Sequence, residues 1–292
     1  MAPLPDHQPR QLTEDVTMPG ALGNPPAHGA AERSPQRTLE SLTAQFDEIA
    51  RDSTSLIVCP PGRFELAGQS VALPRYLFLG PQGGAEPLRI GVFAGIHGDE
   101  PAGSFALLRF AQLLEEKPEL ARDYCLFLYP VCNPTGFEDD TRHSRNGEDL
   151  NRAFWRNSRQ PEVRLLESEL MYHAFNGIIS LHTDNTSDGV YGYAHGALLT
   201  RHLLGPALAA ASEFLPLNQK DLIDGFRARD SIIRDGHEGV LCAPPKIRPR
   251  PFEVILETPH QAPQYLQEAA LAVALRTILH EYRQFIAYAQ NL

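Results

Sequence analysis

The sequence is short of what several function classes require. Only four cysteines occur in 292 residues, Cys59, Cys125, Cys132 and Cys242, and no two of them have CxxC spacing. That excludes a cysteine-built metal knuckle and a disulfide framework, and the four read as reduced core residues of a cytoplasmic protein. Basic charge is also scarce. Lys and Arg number 26 against 36 Asp and Glu, a formal net charge of −10, so the chain lacks the basic surface that general nucleic-acid or anionic-membrane binding needs. No apolar run reaches the length of a membrane span, and the N-terminal segment lacks the apolar centre of a secretion signal. The expectation is a soluble cytoplasmic protein with no nucleic-acid partner and no membrane partner.

What is present is enough apolar residues for a large core, 42% of the chain, arranged as a tail and a body. Residues 1–36 are rich in Pro, Gly, Ala and polar residues without apolar periodicity, which predicts a disordered N-terminal tail. Residues 37–292 are expected to form one domain. Thr38 to Arg51 places Leu39, Leu42, Phe46 and Ile49 at helical spacing behind a Ser or Thr cap. Beyond it, apolar strand-like runs at 75–80, 88–95, 124–131, 177–182 and 251–259 alternate with helical patterns at 101–116, 161–175, 198–214 and 264–288. Such alternation predicts an α/β fold, a mixed sheet covered by helices on both faces. Ligand sites in such sheets gather at the carboxyl ends of strands, which groups His97, Asn133, His182 and Glu257 on one rim.

One short stretch on that rim carries chemistry. In Gly95-Ile96-His97-Gly98-Asp99-Glu100-Pro101 a histidine and a glutamate stand three apart directly behind an apolar strand, flanked by glycines that permit a sharp turn. A second histidine from a neighbouring strand end, His182, completes two imidazoles and one carboxylate, the ligand set of a catalytic zinc ion with one open position. The HxxE pair alone is a weak signal. Its context is not weak.

After the strand ending at Val131 the chain runs CNPTGFEDDTRHSRNGEDLNRAFW, Cys132 to Trp155. With GIHGDEPAG before it, SLH at Ser180–His182 and ILETP at 255–259, this order of motifs resembles the zinc carboxypeptidase superfamily, both the M14 metallopeptidases and the succinylglutamate desuccinylase/aspartoacylase branch. The resemblance implies a zinc carboxypeptidase-like, mixed eight-stranded-type sheet sandwiched by helices, and one Zn2+ per chain. It implies His97, Glu100 and His182 as the metal ligands. It implies Glu257 as the general base toward the attacking water and Arg142, or Arg145 nearby, as the arginine that polarises the scissile carbonyl. Asn151 and Arg152 correspond to the pair that grips a substrate's free carboxylate. Each role is chemically sensible, because burial raises a carboxylic acid toward a useful base, an arginine stabilises a developing oxyanion, and a guanidinium beside an amide holds a carboxylate in two prongs.

The implied substrate is a peptide or N-acyl amino acid with a free carboxylate. The reading favours an M14-type metallocarboxypeptidase, with an N-acyl-amino-acid deacylase as the alternative; a non-catalytic carboxylate-binding module is disfavoured because ligands and base are all present. Two departures bear on the branch. No tyrosine occurs between Ala194 and Leu256, where many carboxypeptidases of this class place a mobile one, leaving Tyr191 and Tyr193 as the nearest. The segment Asp224 to Gly239 is expected to form a loop over the pocket, with Arg227, Arg229 and Arg234 available to meet an acidic group or to remain in solvent. His143, His173, His195, His202, His237, His260 and His280 have no matching motif and read as surface or core residues.

Overall fold

The computed structural model describes residues 37–84, 86–195 and 197–289; the tail expected over residues 1–36 lies outside them. Helix α1 (Leu39–Asp52) starts at Thr38, whose hydroxyl accepts the Ser41 N–H while the Ser41 side chain reciprocates, a closed capping box. Its buried positions, Leu42 and Phe46, are four apart and face the core.

Strands β1 (Leu56–Leu66) and β2 (Gln69–Leu79) form an antiparallel hairpin. The sequence predicts only its last third, at 75–80. The reason is Pro60-Pro61, which reads as a strand breaker. Here the prolines fall where the register breaks between Cys59 and Gly62, on an edge strand that needs no second ladder. The central strands are β3 (Leu88–Ala94), β4 (Tyr124–Tyr129), β5 (Gly177–Asp184) and, late in the chain, β10 (Phe252–Pro259). β3 pairs in parallel with β4 and β5, and β5 in parallel with β10. The near-continuous burial of β3 and β5 is what a parallel sheet covered on both faces requires.

Short strands extend the far edge: β6 (Tyr191–Ala194), β7 (Leu222–Ile223), β8 (Phe226–Arg229) and β9 (Ile232–Ile233). The order is β1-β2-β4-β3-β5-β10-β6-β9-β8-β7, ten strands where the resemblance implies about eight. The additional strands come from the segment at 222–233, expected as a loop. Its strands are two to four residues long, too short for a periodic signal.

Helices cover both faces. α2 (Ala102–Glu116), α6 (Gly205–Ala211) and α7 (Gln264–Ala289) join α1 around one core that includes Phe46, Phe78, Leu107, Phe110, Leu256 and Ile278. α6 is reached through α5 (Ala197–Leu199) and a π-helical turn, Thr200–Leu204, where one continuous helix is expected. α3 (Pro134–Asp139) lies near the site and joins this same core through Phe137, while on the opposite face α4 (Pro161–Tyr172) packs Val163, Leu166 and Leu170 against Phe93, Tyr129 and Ile178. Among the described residues no helix is long and apolar enough to cross a membrane.

Phe46 ties α1 to the sheet, fully buried and stacked on Tyr76 with ring centroids 4.5 Å apart. Phe46→Ala should destabilise the protein by about 3–5 kcal/mol, the range for a large buried aromatic. Denaturant unfolding reads this directly, and a loss near zero would mean that α1 contributes nothing to the core.

Candidate active site

The site is assembled at strand ends. β3 runs out at Ala94 and the chain turns at Gly95, whose φ of 60° lies in the left-handed region that glycine tolerates. The turn then presses Gly98 onto the start of α3, where an added Cβ would fall 1.9 Å from the carbonyl carbon of Gly136. Only a glycine permits that approach. The result is that His97 and Glu100 swing inward, 3% and 4% exposed. His182 arrives from β5, in register with Glu257 of β10, and residues in register on neighbouring parallel strands project to the same face.

Glu100 joins the ligands. Its Oε1 lies 2.6 Å from His97 Nδ1, and its Oε2 lies 3.0 Å from His182 Nδ1 and accepts the Thr183 N–H at 3.0 Å. The outer nitrogens are held elsewhere: His97 Nε2 is 3.3 Å from Asp149 Oδ1, and His182 Nε2 is 3.1 Å from Ser180 Oγ. Both rings therefore present Nδ1 to the point the carboxylate faces, and the three ligand atoms lie within 4.8 Å of one another. Two nitrogens and a carboxylate oxygen converging in a buried place, each imidazole oriented from behind, fit a divalent ion such as zinc.

The electrostatics favour positive charge at that point. Burial alone lowers the His97 pKa, but the Glu100 carboxylate and the bond to Asp149 outweigh it and raise the ring above its usual value. For His182 burial prevails and lowers it, despite Glu100, with His97 and Arg142 adding to the effect. Burial raises Glu100 and Asp149 too; the two histidines overcome it at Glu100, and His97 with Arg142 and Arg152 overcomes it at Asp149, so both carboxyls fall well below the ordinary range.

Around this centre lies a cavity of about 430 Å³. His97, Glu100, His182, Glu257, Arg142, Asn151 and Arg152 all line it. Arg142 Nη1 is 3.2 Å from His97 Nδ1 and 3.3 Å from Glu100 Oε1, while its Nε and Nη2 donate to Asp149 Oδ2 at 3.3 and 3.2 Å. Arg145 does not reach the cavity: its guanidinium is taken by Asp139, with two bonds of 2.7 Å, on the outer side of the loop. Of the two arginines that the resemblance leaves open for meeting the substrate's carbonyl, Arg142 is therefore the one that lines the cavity, because Asp139, six residues before Arg145, captures the other. Asn151 Oδ1 accepts the Leu241 N–H at 2.8 Å, and its amide NH2 has no bond among the described residues. Arg152 donates to the Asn151 carbonyl at 2.8 Å and makes no ion pair among the described residues.

Asn133 is not on the cavity wall. It caps α3, its Oδ1 accepting the Gly136 N–H at 2.9 Å, and it reaches the Arg142 carbonyl at 3.4 Å. It thus supports the arginine loop from below. Asp149, which orients His97 and anchors Arg142, was not singled out in the sequence; its signal was the acid two residues before Asn151. Three histidines without a motif, His195, His237 and His260, also line the cavity.

The outer wall decides between the two readings that the sequence leaves open for its arginines. From the segment at 224–239, Asp224, Asp235 and His237 face the cavity, whereas Arg227, Arg229 and Arg234 are exposed and absent from its lining. Tyr193 and His237 both bond Asp224 Oδ2, at 2.7 and 2.8 Å, and Tyr191 donates to Asp184 at 2.9 Å.

Residues 88–214 match the family model of the succinylglutamate desuccinylase/aspartoacylase catalytic domain. No curated protein matches the chain in sequence. Among solved structures, a candidate metallopeptidase from Shewanella baltica OS155 is similar with a TM-score of 0.71 and 21% identity, over 84% of this chain and 92% of that one. A metallo-carboxypeptidase from Burkholderia cenocepacia is similar with a TM-score of 0.66 and 14% identity, over 85% and 69%. A metallo-carboxypeptidase from Pseudomonas aeruginosa, in complex with (2-guanidinoethylmercapto)succinic acid, is similar with a TM-score of 0.62 and 18% identity, over 82% and 67%. The fold is that of the zinc carboxypeptidase superfamily, and the resemblance carried by the motifs is matched by family model and fold alike.

Glu257 offers a test of the site's electrostatics. Burial holds its carboxyl well above the ordinary value of 4.5, and the Glu100, Asp184 and Asp224 carboxylates push it further up against the opposing effect of Arg142. In the metal-free protein the folded state therefore keeps a proton that the unfolded chain releases, so stability falls as pH rises from 4.5 through the raised folded value. Glu257→Gln removes this loss. With a chelator present, the advantage of the variant over the wild type in melting temperature should grow as pH rises from 4.5 to the raised folded value, level off above it, and be smallest below 4.5. A pH-independent difference in calorimetry would contradict the account.

Proposed function

We propose that this chain is a zinc-dependent hydrolase that cleaves an amide bond beside a free carboxylate, as an M14-type metallocarboxypeptidase, with residues 37–292 as its single catalytic domain. The observation that carries this reading is the convergence of His97, Glu100 and His182 on one point of a cavity that also holds Glu257 and Arg152, an arginine with no ion pair among the described residues. A divalent ion held by those three side chains supplies Lewis acidity toward water and the scissile carbonyl.

The protein's own groups do the rest. Glu257 acts as its carboxylate, which burial and the neighbouring carboxylates make a stronger base; it accepts the proton of the attacking water and returns it to the leaving amine. Arg142, fixed by Asp149, points its guanidinium at the oxygen where negative charge develops. Asn151 and Arg152 hold the substrate's carboxylate, the amide through its NH2 and the guanidinium through its donors. Asp149 keeps the His97 ring in the orientation that presents Nδ1 inward. The Pseudomonas aeruginosa neighbour's ligand bears succinic acid carboxylates, which accords with a carboxylate-gripping site in this fold.

The match over residues 88–214 favours a second reading, an N-acyl-amino-acid deacylase. The outer wall weighs against an acidic acyl group. Asp184, Asp224 and Asp235 line the cavity there, and a succinyl or aspartoacyl carboxylate placed beside them would meet like charge.

A zinc-loaded assay read by mass spectrometry, on N-blocked dipeptides together with N-acetyl and N-succinyl amino acids, decides between the two. The peptidase reading predicts release of C-terminal residues from the dipeptides; cleavage of short acyl amino acids alone would transfer the chain to the deacylase reading. Glu257→Gln should retain zinc and lose turnover by at least about a hundredfold, and a fully active variant would remove its assignment as base. His182→Ala should lose the ion, and undiminished zinc by elemental analysis would exclude it as a ligand.

A further inference from the structure

Arg37 stands outside the cavity yet touches the turn that carries His97 and Glu100. Its Nη2 donates to the carbonyl of Gly98 and, at 3.0 Å, to that of Phe137; its Nη1 pairs with Asp140 Oδ1 at 2.9 Å. The guanidinium carbon lies 4.4 Å from the centroid of the Phe137 ring, a cation–π contact. Gly98 belongs to the turn and Phe137 to α3, so one planar group bridges the two segments.

The junction needs such a bridge. Gly98 and Gly136 meet backbone to backbone, with no room for a Cβ between them, so neither residue offers a side chain that interlocks. Arg37 supplies the directional bonds that this contact lacks. It is also delivered from a fixed base: the next residue, Thr38, closes the capping box of α1, and α1 is anchored in the core by Leu42 and Phe46. Only the outermost bond, to an Asp140 side chain 75% exposed, faces solvent, and such pairs contribute little.

We propose that Arg37 is a positioning residue for the metal centre, locking the His97–Glu100 turn against α3 so that the His97 ring and the Glu100 carboxylate are held converged for the ion. The inference rests on the reading of His97, Glu100 and His182 as ligands. It assigns Arg37 no contact with substrate.

The test is zinc affinity of the full-length chain, measured by competition with a chromogenic chelator. Arg37→Ala should weaken zinc binding about ten- to a hundredfold, the range typical of groups that orient a metal's ligands. Arg37→Lys keeps the charge but not the planar fork that serves two carbonyls, and should fall between the two; it carries the decision if Arg37→Ala does not fold. Asp140→Ala, which breaks only the exposed pair, should bind zinc as the wild type does. Ile278→Val, a change in the buried core of α7, should lower the melting temperature while leaving zinc affinity unchanged, which separates positioning from general destabilisation. Wild-type affinity in the Arg37 variants, or an equal loss in Ile278→Val, would overturn the inference and leave the metal centre standing. Failure of the wild type to bind zinc would instead overturn the ligand reading on which it rests.

Discussion

The Glu100 carboxylate lies between two imidazole nitrogens, 2.6 Å from His97 and 3.0 Å from His182, and the second of these comes from a strand eighty-two residues further along the chain. Three polar groups buried together are costly to desolvate and persist only when they satisfy one another. Sheet register is what makes this possible. β3 pairs with β5 and β5 with β10, so that Leu181 stands beside Ala94 and Glu257 beside His182. A slip of one residue in β5 would turn His182 to the other face and leave Glu100 with an unmatched buried charge.

That dependence explains why the outer shell is as ordered as the ligands. Asp149 holds one ring from behind and Ser180 the other. Asp149 also pins Arg142, and Asn133 supports the loop from which Arg142 projects. The cavity wall carries both signs: Arg142 and Arg152 line it, and so do Asp184, Asp224 and Asp235. A carboxylate entering this space is drawn to the arginines and repelled by the aspartates, which orients a substrate before any bond is made.

The central fold and most of the site were legible in the sequence because their signals are long or chemically unusual. β3, β4, β5 and β10 are nearly continuous apolar runs, and a parallel sheet buried on both faces leaves them no other reading. His97, His182 and Glu257 end or follow such runs, so the strand-end rule grouped them, along with Asn133, which instead caps α3; Glu100 came from its spacing to His97. What was missed is short or depends on tertiary partners. Pro60-Pro61 concealed an edge strand whose broken register accommodates them, and strands of two residues at 222–233 carry no period. Whether an arginine faces a cavity is decided by its neighbours: Arg145 is captured by Asp139, Arg142 by Asp149 and Glu100. Spacing alone does not distinguish them. Arg227 and Arg229 face outward by the alternation of β8, which could not be read before its strand was known, while Asp224, Arg234 and Asp235 lie outside the strands and carry no such pattern.

The central claim is that two imidazoles and one carboxylate form a single metal centre. X-ray absorption at the zinc edge of the loaded protein tests it most directly. The account predicts a first shell of nitrogen and oxygen at about 2.0–2.1 Å with the outer-shell pattern of two imidazoles, reduced to one in His182→Ala protein reloaded at high zinc. A sulfur ligand at about 2.3 Å, or a shell without imidazole scattering, would place the ion elsewhere and contradict the account.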